Sequence, residues 1–413
     1  MSLRNLTFVA LLWAFALNAS LPTANAAERR EPFELRDGDR VVLLGGTFFE
    51  RAQRYGYLET ALQLRFPDRK FSVRNLGWSA DTVFAESRGI FDAPDKGYAR
   101  MIEQVKGLKP TVIFLHYGGN ESFNGEAYLD TFIKQYEKLL DDLTPTGADF
   151  VLVSPRQMFD LEPPYPNTRR FNQTRRHFSH AVKLIAAQQN ATFIDISDLV
   201  ATNQLELTDD GRQLNERGYE LGSGVFSWKL LGLPSGFGPE RIELQADGTV
   251  VNTERCDVDL IKATKDSLTF NVKFSVPSQS WASLKVNGLP KGTYRMLLDG
   301  EPLKWELTSE MLAQDFSGRS NRKSTPSASI FRNYGPLREA VIEKNQMYFH
   351  RWRPQNVTYL FLFRKHEQGN NAKEVEEFEQ IVAKLDDRIF ELKQKATEVT
   401  VEIVRVGDVE AGQ

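Results

Sequence analysis

The sequence predicts an α/β fold: a doubly wound parallel sheet of five strands, followed by a small antiparallel β module and a C-terminal helical segment. Two observations carry this expectation. Between residues 40 and about 230, short β-branched runs alternate with amphipathic stretches, and parallel strands need helical crossovers of that kind. After about residue 240 the pattern becomes an apolar–polar alternation with Gly, Pro and Asp at the turns, which marks antiparallel strands.

In chain order, RVVLLG (40–45), FSVRNLG (71–77), TVIFLHYGG (111–119), DFVLVSP (149–155) and ATFIDI (191–196) read as the five strands of a domain spanning 38–235. Between them, AYLDTFIKQYEKLLDDL (127–143) and HFSHAVKLIAAQQ (177–189) repeat apolar residues every three or four positions, as helices with one buried face do. RIELQADGTVV, SLTFNVKFS and SLKVNGLPKGTYRMLLDGEPL then form a sandwich-like module over 240–312, followed by a polar loop over 313–329. In the tail, 330–413, GPLREAVIEKNQMYFHRW reads as helix and NVTYLFLFRKH as strand or extended chain. A last helix begins near Ala372, with Val375, Phe378, Val382, Leu385, Ile389 and Leu392 on one face and Asn371 placed to cap it. This tail is expected to pack back on the core.

At 413 residues the chain is longer than one small core requires, and 41% hydrophobic content with a net charge of −3 describes an ordinary globular protein. Basic residues are scattered and no aromatic–basic stripe appears, which argues against nucleic acid as a partner. Residues 1–26 have the layout of a cleaved secretory signal: Arg4, an apolar run, then small residues, with the cut after Ala26. The competing reading is an uncleaved anchor, since the apolar run approaches spanning length. With cleavage, the protein is secreted or periplasmic, with no stable membrane insertion. The one cysteine, Cys256, allows no internal disulfide and has no nearby His or second Cys, so it reads as a buried small residue.

In doubly wound sheets ligands sit beyond the C-terminal ends of the strands. That rule singles out Thr47, Gly77 and the Gly118–Asn120 turn. Four blocks in one order, LLGGT, NLGWSADT, YGGNE and LTDDGRQLNERGY, resemble those of the SGNH (GDSL-type) hydrolase superfamily over roughly residues 38–230. The resemblance implies a flavodoxin-like fold and hydrolysis of esters of small molecules or glycans. It places Thr47 where the nucleophilic serine stands, Gly77 as backbone oxyanion donor and Asn120 as side-chain donor. In the last block it places Asp210 on the aspartate and Gln213 where histidine belongs. The tail segment EKNQMYFHRWRPQNVTYLFLFRKHEQGNNAKE resembles the C-terminal signature of secreted SGNH-like proteins from planctomycete-type bacteria, which implies an exported bacterial protein.

The departures bear on mechanism. A hydrolase of this type needs a nucleophilic oxygen, a base and donors for the tetrahedral oxyanion. Thr47 has a competent hydroxyl, but its β-methyl stiffens χ1, and it lies too far inside the chain to use a free α-amine. Gln213 cannot take up a proton. Loss of one triad member leaves about 10³–10⁴-fold catalysis over water. A replacement base has to come from the five histidines. His177 and His180 read as surface residues of a helix. His116, at the end of the third strand, is either an alternative base or a hydrogen-bonded strand-end residue. His350 and His366 either reach the site from the tail or help pin it to the core. Ser79 and Asp81 read as turn formers, and Glu121 as an orienting partner of Arg51 or Arg54. No zinc or calcium ligand spacing is present, and no cofactor is expected. Two functions remain open: an exported ester hydrolase with an unorthodox base, or a protein that binds an acyl or glycan ligand without turnover.

Overall fold

Five strands, β1 (Arg40–Gly45), β2 (Ser72–Asn75), β3 (Val112–His116), β4 (Asp149–Val153) and β5 (Thr192–Ile194), pair in parallel in the order β2-β1-β3-β4-β5. The computed structural model describes residues 33–407 except 91, 201–204, 233–239, 275–282, 304–305, 315–333, 354–363, 365 and 367–368. The expected leader, the polar loop from residue 315 onward and most of NVTYLFLFRKH lie outside the described residues.

The strand order is flavodoxin-like, with its reversal between β1 and β3. Both faces of the sheet are covered, which is why its strands read as unbroken apolar runs. Val41 and Leu43 enter one core with Phe49, Leu58 and Phe226, whereas Val42 and Leu44 enter the other with Val105, Leu139 and Phe178. The first core belongs to α1 (Thr47–Tyr55), α2 (Tyr57–Arg65) and α6 (Glu216–Leu230). The second belongs to α3 (Pro94–Gly107), α4 (Leu129–Leu143) and α5 (Arg169–Gln188), the last starting eight residues before the expected helix.

The β module has two sheets. One is three-stranded, with β6 (Arg241–Gln245) between β10 (Ser283–Asn287) and β7 (Val250–Glu254), and its β6–β10 pair is parallel. The other contains β8 (Cys256–Ala263), β9 (Ser267–Phe274), β11 (Thr293–Leu298), β12 (Glu301–Pro302), β13 (Leu307–Thr308) and β14 (Glu398–Gly407). A short helix, α7 (Ser309–Ala313), follows β13. Sequence analysis treats 330–413 as helical, yet β14 lies between β9 and β11, with Val401 opposite both Phe270 and Leu298. The reason is the period-two pattern of VTVEIVRV: Val399, Val401 and Ile403 enter the core with Leu244, Val272 and Met296. Cys256 is buried in that core.

The remaining tail forms α8 (Tyr334–Trp352) and α9 (Gly369–Lys395), which pack on each other and against α1, α2 and β2. Val382, Leu385 and Ile389 of the expected stripe are buried. Asn371 lies inside the first turn of α9 rather than capping it, because the helix begins two residues earlier. Among the described residues no helix is long and apolar enough to cross a membrane.

Candidate active site

Helix α1 begins at the glycine turn that ends β1. Gly46 is its N-cap and Thr47 its first residue, so the hydroxyl stands at the positive end of the helix dipole. Thr47 Oγ1 accepts a 3.0 Å hydrogen bond from the Ala80 amide. Ala80 has φ 59°, a left-handed conformation uncommon outside glycine, and its N–H is directed at Thr47.

Gly77, expected as the backbone donor, is committed elsewhere. Its amide donates to Asn75 Oδ1 at 2.8 Å, and a Cβ on it would lie 2.4 Å from the Glu50 nitrogen. Gly77 is therefore a glycine because the first turn of α1 rests on its backbone, and the amide facing Thr47 belongs to Ala80. Asn120 lines the same cavity as Thr47 and donates from Nδ2 to the Asp81 carbonyl at 2.8 Å. The Asp81 carboxylate is buried against Arg88, which reaches its Oδ2 at 2.8 Å, and also accepts from the Ser87 and Tyr117 hydroxyls. Arg88 in turn lies over Trp78 and Trp352, so the second block is fastened to the end of α8. Ser79 donates to Glu50 at 3.0 Å.

Gln213 reaches the cavity, as its position in the last block implies. Asp210 does not orient its side chain. The aspartate Oδ1 accepts the backbone N–H groups of Arg212 and Gln213, at 2.8 and 2.7 Å, and Oδ2 lies 3.7 Å from Arg51 at the surface. Among the described residues, His116 is the one histidine lining the cavity. Its ring lies tilted against Phe48 and edge-on to Phe49, and among the described residues neither ring nitrogen has a partner on another residue. Burial, reinforced by Arg175 and Arg156, holds its pKa down to about 3, so the imidazole is neutral. His350 is half-buried between α8 and α9 beside Phe349 and Phe378, and His366 is exposed; neither lines the cavity. His177 pairs with Glu126 at 3.2 Å and His180 is exposed.

Glu121 is not a partner of Arg51 or Arg54. It is buried, accepting the amides of Val83 and Gly118 at 2.8 Å each. Burial pushes its carboxyl up to about 7 despite those bonds. Three arginines complete the wall. Arg175 is held by the carbonyls of Arg156 and Gly119 and by Ser122 Oγ; Arg156 donates to the Arg212 carbonyl; Arg212 lies at the rim over Phe123. The cavity is small, about 40 Å³.

Sequence reasoning missed Ala80, Arg156 and Arg175. Arg156 follows the C-terminal end of β4, where the ligand rule for such sheets points, so that signal was available. Ala80 left none, because no side chain marks which amide turns inward. Among the described residues no cluster of His, Cys, Asp and Glu is arranged to hold a metal ion.

Residues 24–221 match the model of the GDSL-like Lipase/Acylhydrolase family. A search of curated proteins finds no match. Among solved structures, the chain is similar to BT4096, a gut microbial diltiazem-metabolizing enzyme, at 16% identity. That match covers 91% of this chain and 99% of the other with a TM-score of 0.61, so the shared fold extends past the α/β domain. A catalytic mutant of Axe2, an acetylxylan esterase from Geobacillus stearothermophilus, matches at 18% identity over 49% of this chain and 98% of its own, with a TM-score of 0.39.

Proposed function

Because its α/β domain belongs to the GDSL-like lipase/acylhydrolase (SGNH) family, we propose that this protein engages an acyl or carbohydrate ester at the Thr47 cavity and hydrolyses it slowly. The observation that carries this reading is the contact between Thr47 Oγ1 and the Ala80 amide, with Asn120 lining the same cavity. A nucleophilic oxygen and two oxyanion donors are thereby grouped at a helix N-terminus. In the reaction Thr47 Oγ1 bonds to the acyl carbon, and the carbonyl oxygen becomes an oxyanion held by Ala80 N–H and Asn120 Nδ2. The alcohol leaves with a proton, and water then releases the acid from Thr47. The slow element is proton removal from the hydroxyl. Gln213 cannot accept the proton, His116 is held neutral with a very low affinity for one, and both Glu121 oxygens already accept amides.

A second reading, binding without turnover, is favoured by one arrangement: Asp210 is spent on its own loop and has no imidazole to orient. By the same proposal the protein is exported, its leader cut after Ala26, and acts outside the cytoplasm.

Hydrolysis of a short-chain aryl acetate by the purified protein separates the readings. Weak turnover is expected in the parent, none above background in Thr47→Ala, and a gain of about 10²-fold or more in Gln213→His. Parent and Thr47→Ala hydrolysing alike would remove Thr47 from the reaction. Silence in all three proteins would leave the binding reading.

A further inference from the structure

The walls of the Thr47 cavity hold more positive charge than the fold neutralises. Arg156 and Arg175 are each more than nine-tenths buried, and Arg212 stands at the rim. None of the three has a carboxylate within salt-bridge distance among the described residues. Arg175 satisfies itself on carbonyls and a serine hydroxyl, and Arg156 Nη1 is buried with no hydrogen-bond partner among the described residues. Asp210 acts on Arg156 and Glu121 on Arg175 from beyond salt-bridge distance, and each offsets its cation only in part, since burial still lowers both guanidiniums. Asp81 is spent on Arg88, and Glu121, raised to about 7 by burial, accepts two amides. Tyr117 donates to Asp81, and His116 is neutral. Asp210 lies outside, toward Arg51.

Keeping unpaired guanidiniums out of water is costly, and a ligand that supplied the missing charge would offset that cost. The cations also crowd one another. Burial first, then Arg156 and Arg212, bring Arg175 down to about 9, and burial brings Arg156 to about 10. Both remain protonated at neutral pH. A guanidinium with free N–H groups presents the fork that carboxylate and sulfate oxygens match.

We propose that the Thr47 cavity recognises an oxyanion group, a carboxylate or a sulfate carried by the ester substrate, through Arg156, Arg175 and Arg212. This rests on reading the cavity as the ester site and narrows the substrate to an anionic one. Arg175 builds the wall; Arg156, through its unpartnered Nη1, and Arg212 at the rim supply the free donors.

Calorimetric titration of the whole protein with D-glucuronate, D-glucose 6-sulfate and D-glucose tests this without requiring turnover. At least one anionic sugar is expected to bind saturably while glucose does not. Glucuronate alone would identify the group as a carboxylate, and the sulfate ester alone as a sulfate. Loss of one charged donor in Arg156→Met should weaken binding about tenfold or more, with Arg156→Lys retaining part of it. Arg212→Met, a rim substitution that leaves the buried network intact, should also weaken it and serves if Arg156→Met does not fold. Equal binding of glucose, no saturable binding of either anion, or unchanged affinity in folded variants would overturn the proposal. A protein silent as an esterase that still binds the anion through these arginines sinks the hydrolase reading only. An active esterase with no anion binding sinks this one only.

Discussion

Two of the regions in which this protein buries cations treat them in different ways. Where α8 and α9 meet the edge of the sheet, Lys344 is fully buried, with its Nζ at 2.7 Å from Glu59 and further bonds to the Val73 carbonyl and Asn345. Beside it Arg74 meets Asp386 at 2.8 Å and lies over Tyr348. At the Thr47 cavity, among the described residues, Arg156 has no carboxylate within salt-bridge distance and His116 has no hydrogen-bond partner on another residue. The difference teaches where stability is kept and where it is given up. At the tail interface Lys344 and Arg74 each have a counter-charge, while buried Lys393 of α9 rests on the Gln63 side-chain oxygen and the Arg69 carbonyl. The cavity is left open, with its charges held ready for something absent from the chain.

The largest expected effect breaks the closed side. Lys344→Met leaves Glu59 buried without its cation, and truncating one partner of a buried pair costs about 3–5 kcal/mol. Urea denaturation should show a large fall in midpoint, partly recovered when Glu59→Leu is added. A loss under about 1 kcal/mol would mean that the Lys344–Glu59 pair is not what fastens the tail.

How legible these regions are in the sequence follows the same division. The five parallel strands announce themselves because burial on both faces makes them continuous apolar runs, and the stripe Val382, Leu385, Ile389 fixes the buried face of α9. The strand β14 was equally legible, since Val399, Val401 and Ile403 alternate, but a long helix precedes it and strands are expected near their partners in sequence. In the site, Thr47, Asn120 and Gln213 could be placed because their side chains mark them. The backbone donor could not. Gly77 looks like the permissive residue, yet Ala80 adopts the positive φ and turns its amide to Thr47. Charge pairing was hidden too: a census of scattered arginines does not show that Arg156 and Arg175 converge while Arg74 finds Asp386.

A smaller effect lies in the pH dependence of the open side. The folded pKa of His116, about 3, is below its ordinary 6.5, so its contribution to stability is complete above pH 6.5 and is lost as pH falls toward 3. Glu121 acts in the other direction: raised from 4.5 to about 7, it contributes fully below pH 4.5 and loses that contribution as pH rises to 7. Between 4.5 and 6.5 the two slopes oppose each other, and these two groups together leave a plateau. Substituting His116→Leu removes one slope. Lowering the pH from 6.5 to 5 should then favour the variant over the parent by about 2 kcal/mol in chemical denaturation. Parallel curves for the two proteins would mean that His116 is not held neutral by the cavity.

The smallest effect is the most diagnostic, because its sign should be opposite to that at Lys344. Arg156→Met removes a buried guanidinium that has no counter-ion, and with it the bond to the Arg212 carbonyl and the packing on Phe159. Replacing a desolvated, unpaired cation with an apolar chain of similar length relieves its desolvation, and the lost bond offsets part of that gain. In the absence of ligand the variant should range from as stable as the parent to about 1 kcal/mol more stable. Adding an anion that binds should reverse the order, since only the parent gains stability from occupying the site. Measured by denaturation with and without the sugar acid, that reversal requires a charge kept at a cost to the empty fold. A destabilisation as large as that of Lys344→Met would instead make Arg156 a structural cation like those of the tail interface, and the contrast between the two regions would disappear.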